Sequence, residues 1–357
     1  MKPIGRLRRA PENFLALDAV PGNGIERRDF IRRSFGAALA GLGAAGGLTI
    51  SGRADAQNSE NAAGDKAILE LPPHSKSLGQ PVAARGYGLP SKYEANLARR
   101  ESPGLTRVSA ASVSFAPLQG LFGIITPSGL HFERHHQGWH DIDPTGHRLM
   151  LNGLVRMPKV YTMDDLMRLP SVSRIHFIEC GANTGMEWGN VAVPTVQYTH
   201  GMLSCAEFTG VRLATLLDDC GADIKKGRYL LAEGADGSGL TRTIAMERAL
   251  DDCIVAYGMN GEMLRPENGY PLRLVVPGMQ GVSWVKWLRR IEVGDQPYDT
   301  REETLHYIDL MPDGRHRRYT SIQECKSVIT SPSGGQVLLE RGYYNVTGLA
   351  WSGRGRI

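Results

Sequence analysis

Cys180 lies in RIHFIECGANTGMEW, residues 174–188, behind a stretch in which Ile175 and Phe177 alternate against His176 and ahead of Gly181-Ala182-Asn183. The pattern predicts a β-strand that carries a thiol to a tight turn of small residues. A soft thiolate ligand would be presented in this way, with a rigid support behind it and room for a large group to approach the backbone. A lone cysteine in such a stretch also reads as a small buried hydrophobe. The residues around it favour the first reading. Upstream, FERHHQGWHDIDP at 132–144 sets Arg134, His135 and His136 side by side, and downstream Arg273 stands inside the apolar run LRLVV. An arginine in a buried strand asks for an anionic partner, and a phosphate answers that need. His131/His135 and His136/His140 have the i, i+4 spacing of a helical zinc site, but Gly138 and the absence of apolar helical periodicity argue against a helix there.

The elements that must hold these residues read as follows. Residues 148–155 alternate as a strand, and Thr162 with Asp165 forms a capping-box pattern opening a short helix to Leu169. Residues 209–220 show the apolar spacing of an amphipathic helix, closed by Gly221 and with Cys220 in the core. Residues 229–232 form a strand that leads to a turn at Asp236. Asn260-Gly261 joins 254–259 to 262–264 in a type I′ hairpin, and 272–276 and 285–293 are strands. Residues 57–106 are polar, contain Pro, Gly and Ser, and lack sustained periodicity, which predicts an extended or partly disordered arm.

In order and spacing, the motifs around Arg134, Cys180, Arg273 and Lys286 resemble the molybdenum-cofactor domain of the sulfite oxidase family, from about Phe132 to Ile329. The resemblance implies an α+β fold, with a molybdopterin-binding domain at 111–325 followed at 326–357 by the opening strands of an incomplete immunoglobulin-like dimerisation domain; a complete domain of that kind would make the protein an oligomer. It implies one pterin with molybdenum (Mo-molybdopterin), held by the Cys180 thiolate. Arg134 and Tyr307 are then expected at the substrate, and His135, His136, Asp236, Asn268, Arg273, Trp284, Val285 and Lys286 around the cofactor. Asp236 reads equally as an ordinary turn aspartate, and Asn268 stands where the family carries histidine. After the cysteine the family's sulfite oxidases carry arginines, whereas this chain has Thr184 and Gly185. ECGANTGMEWGN is closer to the branch that oxidises sulfane sulfur, a persulfide on a carrier-protein cysteine, and passes electrons to a c-type cytochrome. Direct oxidation of sulfite to sulfate is the alternative within that chemistry, and a non-catalytic structural subunit is the alternative outside it.

The remainder of the chain sets bounds. It has 357 residues, 41% hydrophobic and 22% charged, with a formal net charge of +4. No stripe of Lys and Arg interleaved with aromatics marks a nucleic-acid surface. ERRDFIRRSF at 26–35, a glycine-weakened apolar run at 36–50 and Ala54-Asp55-Ala56 form a twin-arginine export signal, residues 1–56, ahead of the arm at 57–110. That run is too short to span a bilayer, so the expectation is a periplasmic protein without a membrane anchor after processing. The five cysteines include no C-x-x-C pair, hence no zinc ribbon and no covalent c-type haem, and electrons must leave to another protein.

Overall fold

The computed structural model describes residues 90–103, 110–188, 193–236, 239–318 and 322–357. The export signal and most of the arm fall outside these residues. Two compact units are present, and the first takes in 95–336 and 346–357. Among the described residues the second takes in 90–94, with a 3-10 turn at Lys92–Glu94, and 337–345.

In chain order, β1 (Arg100–Pro103) and β2 (Ser112–Phe115) pair antiparallel, and β3 (Arg134–His135) joins them in a three-stranded sheet. Next come β4 (Leu149–Gly153), β5 (Lys159–Tyr161), α1 (Met163–Met167) and β6 (Ser171–Glu179). The expected box caps α1: Thr162 Oγ1 accepts from the Asp165 amide at 3.1 Å and the Asp165 carboxylate accepts from the Thr162 amide at 2.9 Å. They are followed by α2 (Val196–His200), β7 (Leu203–Arg212), α3 (Leu213–Asp219), β8 (Tyr229–Gly234), β9 (Thr241–Ala245) and α4 (Met246–Asp251). Then β10 (Ile254–Met259) and β11 (Glu262–Met263) form the hairpin, with Asn260 at φ 52° and Gly261 at φ 79° as a type I′ turn requires. After β12 (Arg273–Val275) and β13 (Leu288–Gly294) the described chain ends with α5 (Arg301–Leu305), β14 (Ile308–Leu310), β15 (His316–Arg318), β16 (Lys326–Ser331) and β17 (Thr347–Trp351).

The α+β core is built on two five-stranded sheets. One runs β11-β10-β7-β6 with β12 also on β10, all antiparallel; the other runs β5-β4-β13-β8-β9, where β13 and β4 are parallel. Sparse short helices cover them. Among the described residues no helix is long and apolar enough to cross a membrane.

Two sequence readings need correcting. The helix expected over 209–220 is strand to Arg212 and helix only from Leu213 to Asp219. At Gly210 a Cβ would meet Val255 O at 2.1 Å, so β7 and β10 pack too closely for a helical turn, and sheet pairing overrides the helical spacing. The strand expected from residue 285 begins at Leu288, because Trp287 adopts φ 52° and breaks the extended run. The strand expected at 174–179 is present as β6, an edge strand on which Ile175 is 50% exposed while Phe177 packs against the core. Cys220 is fully buried, as expected.

Candidate active site

β6 is paired with β7 along its whole length, from Ser171 opposite Val211 to Glu179 opposite Leu203, so the end that delivers Cys180 is held by a complete ladder. The Cys180 amide donates to Met202 O at 3.0 Å, and the Asn183 amide donates back to Cys180 O at 2.9 Å, closing the predicted turn. Thr184 leaves it in a left-handed conformation at φ 67°, its amide bonded to Thr199 O at 3.0 Å. Cys180 is 8% exposed; burial pushes its thiol up, and the Arg134 charge partly opposes this. A bound cation is what would convert such a thiol to a thiolate.

Tyr307 reaches the same turn from a separate part of the chain. A Cβ on Gly181 would meet Tyr307 Cε1 at 3.4 Å and Gln280 Oε1 at 3.1 Å. Thr300 and Glu303 cap α5, and the Glu303 carboxylate also accepts from the amide and hydroxyl of Thr243 on β9, at 3.0 and 2.8 Å. The cap thus docks α5 on the sheet and sets the position of Tyr307, whose ring lies 5.2 Å from the Arg242 guanidinium. Burial, then proximity to Cys180, raises the Tyr307 hydroxyl well above its usual range, so it stays protonated and acts as a donor.

Opposite the thiol is a wall of cations and histidines. Lys286 Nζ donates to His135 Nδ1 at 2.9 Å and to the carbonyls of Arg134 and Glu267, each at 3.2 Å. An ammonium can only donate, so His135 Nδ1 accepts and its Nε2–H donates to Glu133 at 2.9 Å, which fixes the tautomer. Arg273 is 3% exposed; its Nη1 and Nη2 donate to the carbonyls of Asn268 and Trp284 at 3.0 and 3.2 Å. Among the described residues neither Arg273 nor Lys286 has a carboxylate at ion-pair distance. Burial brings Arg273 down to about 9 and holds Lys286 well below its ordinary range, as unneutralised buried cations require.

Among the described residues, three buried polar atoms of this wall, Arg273 Nε, Asn268 Oδ1 and His131 Nε2, have no hydrogen-bond partner. Each such orphan costs about 1–3 kcal/mol, and a polar ligand would recover that cost. They border a cleft that Cys180, Arg134, His136, Asp236, Trp284 and Tyr307 also line. Two uncompensated cations fit a phosphate, the orphan donor and acceptors fit the edges of a pterin, and the single thiol fits a metal whose other ligands come with the cofactor. Among the described residues no three His, Cys, Asp or Glu side chains form a metal-holding group, which leaves the four-histidine zinc reading without support.

A protein-family model described as an oxidoreductase molybdopterin binding domain matches residues 136–302. Mitochondrial sulfite oxidase of Mus musculus is 31% identical over 251 residues, 66% of this chain and 46% of that protein. The crystal structure of the sulfane dehydrogenase SoxCD from Paracoccus pantotrophus matches with a TM-score of 0.77 at 45% sequence identity, covering 82% of this chain and 75% of that one. This chain belongs to the sulfite oxidase family of molybdopterin-binding oxidoreductases. The NADPH nitrate reductase of Phytophthora infestans is 35% identical over 190 residues, half of this chain and 21% of that protein. The chain thus spans less than half the length of these curated relatives.

As a sulfite oxidase family member the chain carries a site for Mo-molybdopterin. Of the residues singled out from sequence, the cleft brings together Cys180, Arg134, Tyr307, His135, His136, Asp236, Asn268, Arg273, Trp284 and Lys286. Val285 stays apart: its side chain is fully buried in the core, and its carbonyl serves as a backbone rung, accepting from Leu274 N at 2.8 Å. Asp236 lines the cleft, and its carboxylate caps the turn at Leu240 N, 3.3 Å away. His131 was not singled out as a cofactor residue. It is 1% exposed, and its Nδ1–H must donate to Phe132 O at 2.9 Å, which leaves Nε2 as a buried acceptor. Among four neighbouring histidines, nothing in the sequence ranks it above the others.

These histidines also set a pH dependence. Burial, reinforced by nearby cations, lowers His131 and His135 to about 3 and His136 to about 4. Between the ordinary value of 6.5 and those values the unfolded chain binds protons that the folded protein refuses, so stability falls as pH drops through 6.5. In the cofactor-free protein the urea unfolding midpoint should decline from pH 7.5 to 5.5, above the range in which ordinary carboxylates titrate. A midpoint that stays level across this interval would mean the histidines are solvated.

Proposed function

We propose that this chain catalyses molybdenum-dependent oxidation of sulfane sulfur, a persulfide on a carrier-protein cysteine. Water would supply the oxygen, and electrons would pass to a c-type cytochrome in the periplasm, after export through the Arg27-Arg28 signal. The observation that carries this reading is the Cys180 turn itself, a buried thiol on a rigid strand end followed by small neutral residues. Among the described residues a Cβ at Gly185 would have nothing within 4 Å, which leaves this side of the turn open to them. Neutral, open surroundings suit a peptide arm bearing sulfur. A small dianion in a partly desolvated pocket would gain several kcal/mol from the cationic side chains that are missing after Cys180.

Cys180 would hold the metal, Arg273 and Lys286 the cofactor phosphate, and Asn268, His131, His135 and His136 the pterin. When bound, the cofactor supplies a two-electron acceptor and oxygen-atom transfer to sulfur; each oxygen added consumes one water and releases two electrons and two protons. The protein's own contribution is position and charge. Arg134 places a guanidinium beside Cys180, where it would orient the anionic terminal sulfur, and the protonated Tyr307 hydroxyl would donate to an oxygen as it is delivered. Buried Trp284, hydrogen-bonded to Met279 O at 3.1 Å, closes the cleft wall against water.

A second reading, direct oxidation of free sulfite, has Arg134 and the buried Arg242 beside Tyr307 in its favour. The test supplies the loaded protein with either a carrier protein bearing a cysteine persulfide or free sulfite and follows reduction of cytochrome c. The persulfide should be turned over at least about tenfold faster per molybdenum, a difference of roughly 1.4 kcal/mol in the barrier. Faster turnover of sulfite would establish the second reading instead.

A further inference from the structure

Glu179 is the last residue of β6 and the chain neighbour of Cys180. It is 1% exposed, and its carboxylate collects four side-chain N–H donors: Asn183 Nδ2 at 3.0 Å and Lys326 Nζ at 2.5 Å on Oε1, with Gln323 Nε2 and Trp351 Nε1 each at 2.8 Å on Oε2. That fills nearly all the acceptor capacity of a carboxylate, and charge-assisted bonds of this kind are about twice as strong as neutral ones. Asn183 lies within the Cys180 turn, and its Oδ1 accepts from Met202 N at 3.1 Å. The other three donors lie 144 to 172 residues along the chain, on β16, on β17 and on the approach to β16. The residue before the thiol and the residue three after it are therefore tied to one carboxylate, which the C-terminal hairpin holds from behind. The backbone fits as closely: a Cβ on Gly278 would meet Gly353 O at 2.4 Å, and one on Gly281 would meet Glu179 O at 3.0 Å.

We propose that Glu179 is a positioning residue for the Cys180 turn, and that the hairpin of β16 and β17, acting through Lys326 and Trp351, fixes the turn by holding that carboxylate. The inference builds on the reading of Cys180 as metal ligand. It gives the C-terminal strands a role in the metal site, although they contribute no residue to the cleft. If the carboxylate served only to fasten the hairpin, loosening it would disturb the hairpin and leave the turn as it was.

The test uses the full chain with Trp351→Phe, which removes one donor and keeps the aromatic bulk, and Glu179→Gln, which keeps the size and removes the charge. Two quantities are read: peptide-resolved hydrogen–deuterium exchange over 181–184 and over the two hairpin strands, and the Mo(V) electron paramagnetic resonance signal of the loaded protein. Loss of one hydrogen bond to a charged group should speed exchange in 181–184 at least about tenfold. The Mo(V) signal should shift while molybdenum content holds. Glu179→Gln should do both more strongly, and should it fail to fold, Trp351→Phe carries the test. Faster exchange confined to 326–331 and 347–351, with the turn and the Mo(V) signal unchanged, would overturn the proposal. Exchange requires no metal, so a parent protein that binds no molybdenum would sink the ligand reading separately.

Discussion

Cys180→Ser is expected to lower molybdenum-dependent turnover at least about 100-fold, since altering even the outer partners of a metal ligand costs about 10–100-fold. A hydroxyl at this position is a harder, far less acidic donor than a thiol, and burial that already opposes ionisation of the thiol opposes an alkoxide more strongly. The fold should survive. The replacement is nearly isosteric, and the turn is held by backbone bonds from Cys180 to Met202 and from Asn183 to Cys180, which serine leaves in place. The stability cost should stay within the roughly 1–3 kcal/mol of burying a hydroxyl without a designed partner. Turnover per molybdenum, measured beside the thermal midpoint, separates the two effects. A serine variant with parental turnover would remove Cys180 from the metal.

Arg273→Met should move stability and cofactor retention by very different amounts. Without cofactor the guanidinium is a buried cation with no carboxylate at ion-pair distance among the described residues, and replacing such a group by an apolar side chain is often neutral or stabilising, by about 1–4 kcal/mol. The carbonyls of Asn268 and Trp284 lose their donors in exchange, at about 1 kcal/mol each. The cofactor-free variant should therefore unfold within about 2 kcal/mol of the parent, a balance of those two terms. Methionine also fits the apolar contact that the guanidinium makes 5.8 Å from the rings of Phe208 and Trp284. With cofactor, the variant leaves a buried phosphate without its cation, a loss of about 2–5 kcal/mol, or some thirtyfold to several-thousandfold in retention. Denaturant unfolding of the cofactor-free protein, set beside molybdenum content after purification, tests both halves. A variant that stays loaded would place the phosphate elsewhere.

The candidate site was largely legible in the chain because its residues are chemically out of place. An arginine inside LRLVV, a lysine between Val285 and Trp287, and a thiol at the end of a strand each contradict the pattern around them, and such contradictions are where function is usually found. Residues whose type suits their surroundings gave no such signal. His131 was one histidine among several, and Glu179 passed as an ordinary polar residue at the end of a strand; the value of each depends on partners distant in the chain. Val285 shows the converse. Its place between Trp284 and Lys286 suggested a role at the cofactor, but its side chain is fully buried in the core and does not line the cleft.

The sequence by itself marked out a thiol at a strand end, an arginine in a buried strand that asks for an anion, and the local devices, the Thr162/Asp165 box and the Asn260-Gly261 turn, that depend only on near neighbours. Tertiary structure alone decided where strand stops and helix begins around Gly210, because the close approach of β7 to β10 outweighs a weak helical preference. It alone decided which histidine nitrogens accept and which donate, since each tautomer is dictated by a partner such as Lys286 on His135, 151 residues away. It also brought the C-terminal hairpin onto Glu179 beside the thiol. Hydrogen bonds are short-ranged and directional, so contacts across more than 140 residues are written in the fold and in no local stretch of the chain.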